Sequence, residues 1–305
     1  METTKTQSKN VTVIGLGTMG ATIARLFLDN GYQVNIWNRT KSKGESLVKQ
    51  GAIFAATAED AISASPVAII CVYDYAATNK ILDTKEVTGV LKGKILVQFT
   101  TGSPKEARES AAWAQRFDAE WLDGAIQVAP EQMGKPDTLI LFSGKKTAYT
   151  TFEPILNILG GGLVYLGEDA GSASAMDLAT LSALYGTLFG FFHGALISES
   201  EGFNVEQYAK IVADILPSFS QFLKHEASVI RSGNFQISQS PLSISIAATE
   251  RFVQTAKEKG INTDFPIYAS SVLKKAEKAG YENEELAAII KTLRRDIHKE
   301  VAYTS

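Results

Sequence analysis

Short apolar runs alternate with amphipathic stretches through the first half of the chain. Val11–Gly15, Gln33–Trp37, Val67–Val72, Lys94–Phe99, Glu120–Asp123, Thr138–Ser143 and Leu163–Leu166 read as strands. Helix-period segments lie between several of them, among them Thr18–Asn30, Lys41–Gln50 and Pro104–Arg116. This alternation predicts an α/β fold with a doubly wound, Rossmann-type sheet covered by helices on both faces. The cluster Gly160–Gly162 reads as a loop. After Gly167 the strand pattern stops, and helices are expected at Ala173–Glu201, Val205–Lys224, Leu242–Lys259, Pro266–Ala279 and Glu284–Val301. Asn204, Asp264 and Asn283 suit helix starts, and Gly202, Gly260 and Gly280 suit helix ends. The expected domains are residues 1–170, binding a dinucleotide, and residues 171–305, all-α and joined by a long interdomain helix.

That long helix raises a membrane question. Leu178–Ile197 has no acidic or strongly basic residue, and Gly186, Gly190 and Gly194 repeat at four-residue spacing. Length and spacing suit a spanning helix. The run also holds Thr180, Ser182, Tyr185, Thr187 and His193, and no Lys or Arg cluster flanks it. A helix covered by protein is the better reading, and a second chain is the simplest cover, so a homodimer is expected. At 305 residues the chain is long enough for two domains. A net charge of −3 offers no basic surface for nucleic acid. The polar segment Met1–Asn10 lacks the apolar core of a secretory signal. Cys71 is the single cysteine, which suits a reducing, cytoplasmic setting, and it reads as a small buried hydrophobe.

The most informative local motif is Gly15-Leu-Gly17-Thr18-Met19-Gly20, between a strand and an amphipathic helix. GxGxxG alone is weak, but a strand–helix–strand context makes it a dinucleotide fingerprint. Gly15 would allow the tight turn, Gly17 the approach of a pyrophosphate, and Gly20 close helix–strand packing. The second strand ends in Asn38-Arg39-Thr40-Lys41-Ser42-Lys43. An NAD-specific domain would place a carboxylate there. Asn38 leaves a 2′-phosphate unrepelled, Arg39 can grip it through its planar fork, Thr40 adds a hydroxyl, and Lys43 or Lys41 a positive charge. NADPH/NADP⁺ is therefore the expected cofactor. Ligands in open α/β sheets bind beyond the carboxyl ends of the strands, so Val72, Tyr73, Thr100 and Thr101 should line the cleft. Thr101 also resembles a helix cap.

These features together resemble the β-hydroxyacid dehydrogenase superfamily, whose helical half is of the 6-phosphogluconate dehydrogenase C-terminal kind. Pro130-Glu-Gln-Met-Gly134, Leu139–Gly144, Gly167–Leu178 and Tyr185–His193 are similar to the imine reductases within it. The resemblance implies a homodimer with exchanged helical domains and an oxidoreductase that reduces imines or iminium ions, including cyclic ones, to amines. It places Asp177 where the hydroxyacid dehydrogenases carry a catalytic lysine. The change of sign has a physical reason. An ammonium ~4 Å from an iminium would disfavour that cation by ~4 kcal/mol at an effective dielectric near 20, and a carboxylate would favour it similarly. Asp177 could hold the iminium, donate a proton to nitrogen, or do both.

Tyr185 lies two helical turns beyond Asp177 and could orient the nitrogen. The family reading adds Ile126, Val128, Met133 and Phe189 as apolar pocket walls, with Ile215, Phe219 and Phe222 supplied by the partner. Reductive aminases tend to carry Asn in place of Thr101 and Gln near Ser245, departures that argue against efficient amine–ketone coupling here. The three histidines show no metal-ligand spacing, and no metal is expected. His193 reads as a helix-interior residue. Two other readings stay open. An NADP-dependent dehydrogenase of β-hydroxyacids or small carbonyls would oxidise such substrates. A non-catalytic NADPH-binding regulator would bind the cofactor without turnover.

Overall fold

The computed structural model describes residues 9–294, which fall into two compact units dividing between Ser182 and Ala183. Residues 1–8 of the polar N-terminal segment, and the part of the expected last helix beyond Arg294, lie outside the described residues.

The first unit contains an eight-stranded sheet. Its strands are β1 (Asn10–Ile14), β2 (Gln33–Trp37), β3 (Ile53–Phe54), β4 (Val67–Ile70), β5 (Ile95–Gln98), β6 (Glu120–Ile126), β7 (Leu139–Gly144) and β8 (Gly162–Tyr165). They lie in the order β3-β2-β1-β4-β5-β6-β7-β8, and every neighbouring pair is parallel except β6 and β7. The helices are α1 (Thr18–Asp29), α2 (Glu45–Lys49), α3 (Ala58–Ser63), α4 (Tyr75–Leu82), α5 (Lys85–Thr88), α6 (Pro104–Gln115), α7 (Lys146–Leu156) and the start of α8 (Gly171–Ser200).

Both sheet faces are buried, which is why the central strands read as unbroken apolar runs. Successive side chains still alternate between two cores. Val67 and Ile69 of β4, with Val97 of β5, join Ile23 and Phe27 of α1 on one face. Ala68, Ile70 and Leu96 join Ile62, Leu82 and Ala107 on the other.

Several boundaries differ from the sequence reading. The two-residue edge strand β3 was not expected, because half-exposed Ile53 gives too short a pattern to read. The expected strand Val67–Val72 ends at Ile70, where the chain turns away from the sheet. The strand expected over Glu120–Asp123 runs on to Ile126, because the antiparallel partner β7 extends its ladder to Ile126–Ile140. Lys41–Gln50 is a 3₁₀ turn over Lys41–Gly44 followed by α2. Thr101 is not the cap of α6. Ser103 is, with Glu106 completing a reciprocal capping box.

In the second unit α8 continues to Ser200 and is followed by α9 (Val205–Ser232), α10 (Leu242–Lys259), α11 (Asp264–Lys278) and α12 (Ile289–Leu293). Asn204 caps α9, accepting bonds from the amides of Glu206 and Gln207. That helix runs eight residues past the expected end and stops at Gly233, whose φ of 69° suits glycine. Asp264 is the first residue of α11 rather than its cap, and Thr263 precedes it. The expected helix from Glu284 begins instead with a 3₁₀ turn at Leu286–Ala288.

Leu242, Ile246, Leu273 and Ala276 form a small core. Buried Glu285 accepts hydrogen bonds from the amides of Ser238, Gln239 and Ser240, tying down the segment before α10. His225 and Glu226 also bring side-chain atoms within 4.8 Å of this carboxylate. Among the described residues, the protein cover expected for α8 is not supplied. Leu184, Phe189, Phe192 and Leu196 of α8, and Ile211, Ile215, Phe219 and Leu223 of α9, are all at least 43% exposed.

Candidate active site

The sheet reverses its winding between β1 and β4, and a cleft of about 1140 Å³ opens beyond the carboxyl ends of those strands. Its floor is the β1–α1 turn. Gly15 has φ 95°, and a methyl there would overlap the Cys71 carbonyl. A methyl at Gly20 would overlap the Gly15 carbonyl, so α1 packs directly on the turn. Gly17 differs: its φ is −68°, and a methyl would meet nothing within 4 Å. The missing side chain at Gly17 therefore leaves room over the helix start. No side chain caps α1, and its first-turn amides and positive dipole end suit phosphate oxygens.

Trp37, Asn38, Arg39, Thr40 and Lys43 form one wall of the cleft. Arg39 is exposed and Lys43 sits in the 3₁₀ turn beside it. Asn38 also has a second task. Its Oδ1 accepts the Leu16 amide at 3.1 Å, and its Nδ2 donates to the Thr40 carbonyl at 2.9 Å. The side chain thus locks the glycine turn to the loop that presents Arg39. Val72 and the largely exposed Tyr73 stand on another wall. The Val72 amide donates to the hydroxyl of buried Thr100 at 3.1 Å, joining the ends of β4 and β5. These residues fit a phosphorylated dinucleotide: open space at Gly17, helix amides that no side chain caps, and the cations Arg39 and Lys43 on one wall.

A second, smaller cavity of about 200 Å³ shares Met19 and Cys71 with the cleft. Phe99, Thr100, Thr101, Gly124, Ala125, Ile126, Ser174 and Asp177 complete its lining. Burial pushes the Cys71 thiol up to about 11, so it stays protonated at neutral pH. Asp177, in the second turn of α8, is only 7% exposed. Burial raises its pKa above the ordinary carboxylate range, opposed by a hydrogen bond from Gln127 Nε2 to Oδ1 at 2.8 Å. The Thr180 hydroxyl donates to Gln127 Oε1 at 2.7 Å, which fixes the amide so that its NH₂ faces Asp177.

Behind this pair lies Asp123 of β6, 1% exposed. Its oxygens accept the Tyr75 hydroxyl at 2.7 Å, the Ser174 amide at 3.0 Å and the Ser174 hydroxyl at 2.5 Å. Neither the Gln127 clamp nor the Asp123 network was expected from the sequence, since their members are about 50 residues apart.

The expected cofactor-binding residues Gly15, Gly17, Thr18, Met19, Gly20, Asn38, Arg39, Thr40, Lys43, Val72 and Tyr73 line the cleft, while Thr100 and Thr101 line the small cavity. Of the expected apolar walls, Ile126 lines the small cavity. Met133 is buried in the core on the α1 face, and Val128 packs against that core. Tyr185, Phe189, Ile215, Phe219 and Phe222 belong to the second unit, where the Tyr185 ring lies 6.4 Å from that of Phe189. His193 is buried beside Phe265, and burial lowers its pKa.

Two family models cover nearly all of the described chain. Residues 10–167 match the NAD-binding domain of 6-phosphogluconate dehydrogenase, and residues 169–295 match the C-terminal domain of NADPH-dependent reductive aminase-like proteins. An NADPH-dependent reductive aminase of Aspergillus oryzae is 31% identical over 93% of this chain and 96% of its own. The chain belongs to the imine reductase and reductive aminase family. The solved structures agree. An imine reductase from Myxococcus stipitatus in complex with NADP⁺ is 34% identical, covering 93% of this chain and 100% of that one, with a TM-score of 0.90. A reductive aminase from Aspergillus terreus in complex with NADPH4, cyclohexanone and allyl amine is 33% identical, covering 94% and 100%, with a TM-score of 0.88. This member of the family is accordingly an NADPH-dependent oxidoreductase with a Rossmann-like domain and a helical C-terminal domain.

Proposed function

We propose that this enzyme reduces the C=N bond of an imine or iminium ion to an amine, with Asp177 as the side chain that meets the nitrogen. NADPH supplies the hydride. The β1–α1 turn would hold its pyrophosphate, and Arg39, Thr40 and Lys43 its 2′-phosphate. The observation that carries the role of Asp177 is a buried carboxyl in a small cavity that shares Met19 and Cys71 with the nucleotide cleft.

Burial makes Asp177 easier to protonate than an exposed aspartate. In its protonated form it can give a proton to an imine nitrogen, and the resulting carboxylate then faces an iminium it stabilises. Gln127 holds the receiving oxygen in one orientation through both states, because its own carbonyl is engaged by Thr180. The cavity lining is otherwise mainly apolar around the acid, which suits a neutral or cationic substrate of modest polarity.

The apolar faces of α8 and α9 support a homodimer in which each chain covers the other's helices. Tyr185 is proposed as a second polar group, tested by Tyr185→Phe.

The test of the main reading is NADPH oxidation with a simple cyclic imine. The parent should turn over. Asp177→Ala should lose roughly 10²–10⁴-fold in kcat, the range for a positioned general acid, with little change in NADPH binding. An inactive parent across a panel of imines would end the imine reading. A fully active Asp177→Ala would remove Asp177 from the chemistry.

A further inference from the structure

We infer that Asp123 is a positioning residue of this site: with Tyr75 and Ser174 it fixes the first turns of α8 and thereby aims Asp177 into the cavity. The inference rests on the imine-reductase reading for its kinetic consequence, but its structural part stands on geometry alone.

Helix α8 starts against the sheet at two points. The Ser143 hydroxyl of β7 accepts the Ala173 amide and donates to the Ala170 carbonyl, both at 2.9 Å. Asp123 of β6 takes the next amide, that of Ser174, and the Ser174 hydroxyl as well. A carboxylate at a helix N-terminus is favoured by the free amides and by the dipole. Residues three apart share a helix face, so the anchor at Ser174 sets the azimuth of Asp177 one turn on. The Tyr75 hydroxyl fixes the other oxygen of Asp123 and stops the carboxyl from rotating.

The arrangement has a cost in stability. Burial raises the Asp123 carboxyl to about 6 despite its three hydrogen bonds, and the nearby charge of Asp177 adds to the rise. The ionisable groups that face it are Tyr75 of α4 and Asp177 of α8, with Glu106 of α6 acting on Tyr75. The sign follows from a folded-state pKa above the ordinary value. The fold is favoured by protonation, and that favour is lost as pH rises through about 6. At neutral pH an ionised Asp123 therefore weakens the fold compared with a neutral group of the same shape. Asparagine is such a group: its carbonyl can accept the Ser174 amide, and its NH₂ can donate to Tyr75. Asparagine thus keeps the anchor and should keep the aim of Asp177, whereas alanine removes the anchor.

Full-length Asp123→Asn, Asp123→Ala and Tyr75→Phe should be compared with the parent between pH 5 and 9. For Asp123→Ala we expect kcat to fall roughly 10–100-fold, as for a sub-ångström to ångström misplacement of a reacting group, and Asp123→Asn should restore most of it. The KM for NADPH should be kept in both variants, and the melting temperature at pH 8 should be kept in Asp123→Asn. Tyr75→Phe should show the same pattern more weakly. Parent-like kcat in Asp123→Ala would overturn the kinetic claim, as would an Asp123→Asn variant as slow as the alanine variant.

Amide hydrogen exchange over residues 172–178, read without substrate, tests the anchor separately. Asp123→Ala should exchange at least tenfold faster there while β5 stays protected, and Tyr75→Phe, which frees the Asp123 carboxyl to rotate, replaces it if the alanine variant does not fold. Unchanged exchange would overturn the anchor even if the enzyme proved active. Faster exchange in a protein that reduces no imine would leave the anchor standing and sink only the imine reading.

Discussion

The two cavities of the first unit are built by different means. The phosphate cradle of the nucleotide cleft is backbone, glycines and helix amides, and its cationic wall follows within about thirty positions, from Gly15 to Lys43, while the rest of the lining runs on to Val87. The small cavity around Asp177 is lined from α1, the segments after β4 and β5, β6 and α8, and its acid is held by hydrogen bonds between residues about fifty positions apart. A backbone cradle tolerates most side-chain changes around it but fails at single glycines. A side-chain cavity should fail by degrees as each supporting bond is removed.

The sharpest break of this contrast lies in the three glycines. Gly15→Ala and Gly20→Ala force a methyl into backbone carbonyls, so both should lose several kcal/mol and much of the folded population. Gly17→Ala places its methyl in open space, so its melting temperature should stay near that of the parent while NADPH affinity drops. Equal destabilisation at all three positions would mean that Gly17 serves packing rather than the cofactor.

Next in size is Arg39→Ala. A hydrogen bond to a charged group contributes about 1.5–3 kcal/mol, so the KM for NADPH should rise roughly 10–100-fold while that for NADH stays put. Parallel rises for both cofactors would detach Arg39 from the 2′-phosphate.

The smallest expected effect is that of Gln127→Ala, which removes the partner of Asp177 but leaves the acid in place. Because that hydrogen bond lowers the pKa of Asp177, its loss should move the titration further up, with kcat down about tenfold. A pH profile identical to the parent's would show that the clamp does not act on the acid.

The same contrast explains what the sequence made legible. The sheet, the glycine turn and the charge-bearing loop after β2 follow from local rules of periodicity, turn geometry and charge placement, and so they were readable. Asp177 became visible only through resemblance, because one carboxylate on a helix carries no chemical mark of its own. Gln127 is equally unmarked, because its partners Asp177 and Thr180 lie about fifty positions downstream. The extension of β6 to Ile126 was likewise hidden, because it depends on pairing with β7. The open apolar faces of α8 and α9 are the converse case: their pattern shows that a cover is needed without saying what provides it.

Asn38 bears on any attempt to retarget the enzyme from NADPH to NADH. The obvious exchange, Asn38→Asp, supplies the carboxylate that ribose hydroxyls would welcome, and it keeps the acceptor for the Leu16 amide. Yet it also sets an anionic oxygen against the Thr40 carbonyl, where Nδ2 now donates at 2.9 Å. The loop carrying Arg39 would be pushed from its mooring, so coenzyme choice in this protein is a property of a whole hinge of backbone and will yield only to coordinated changes at positions 38 to 40.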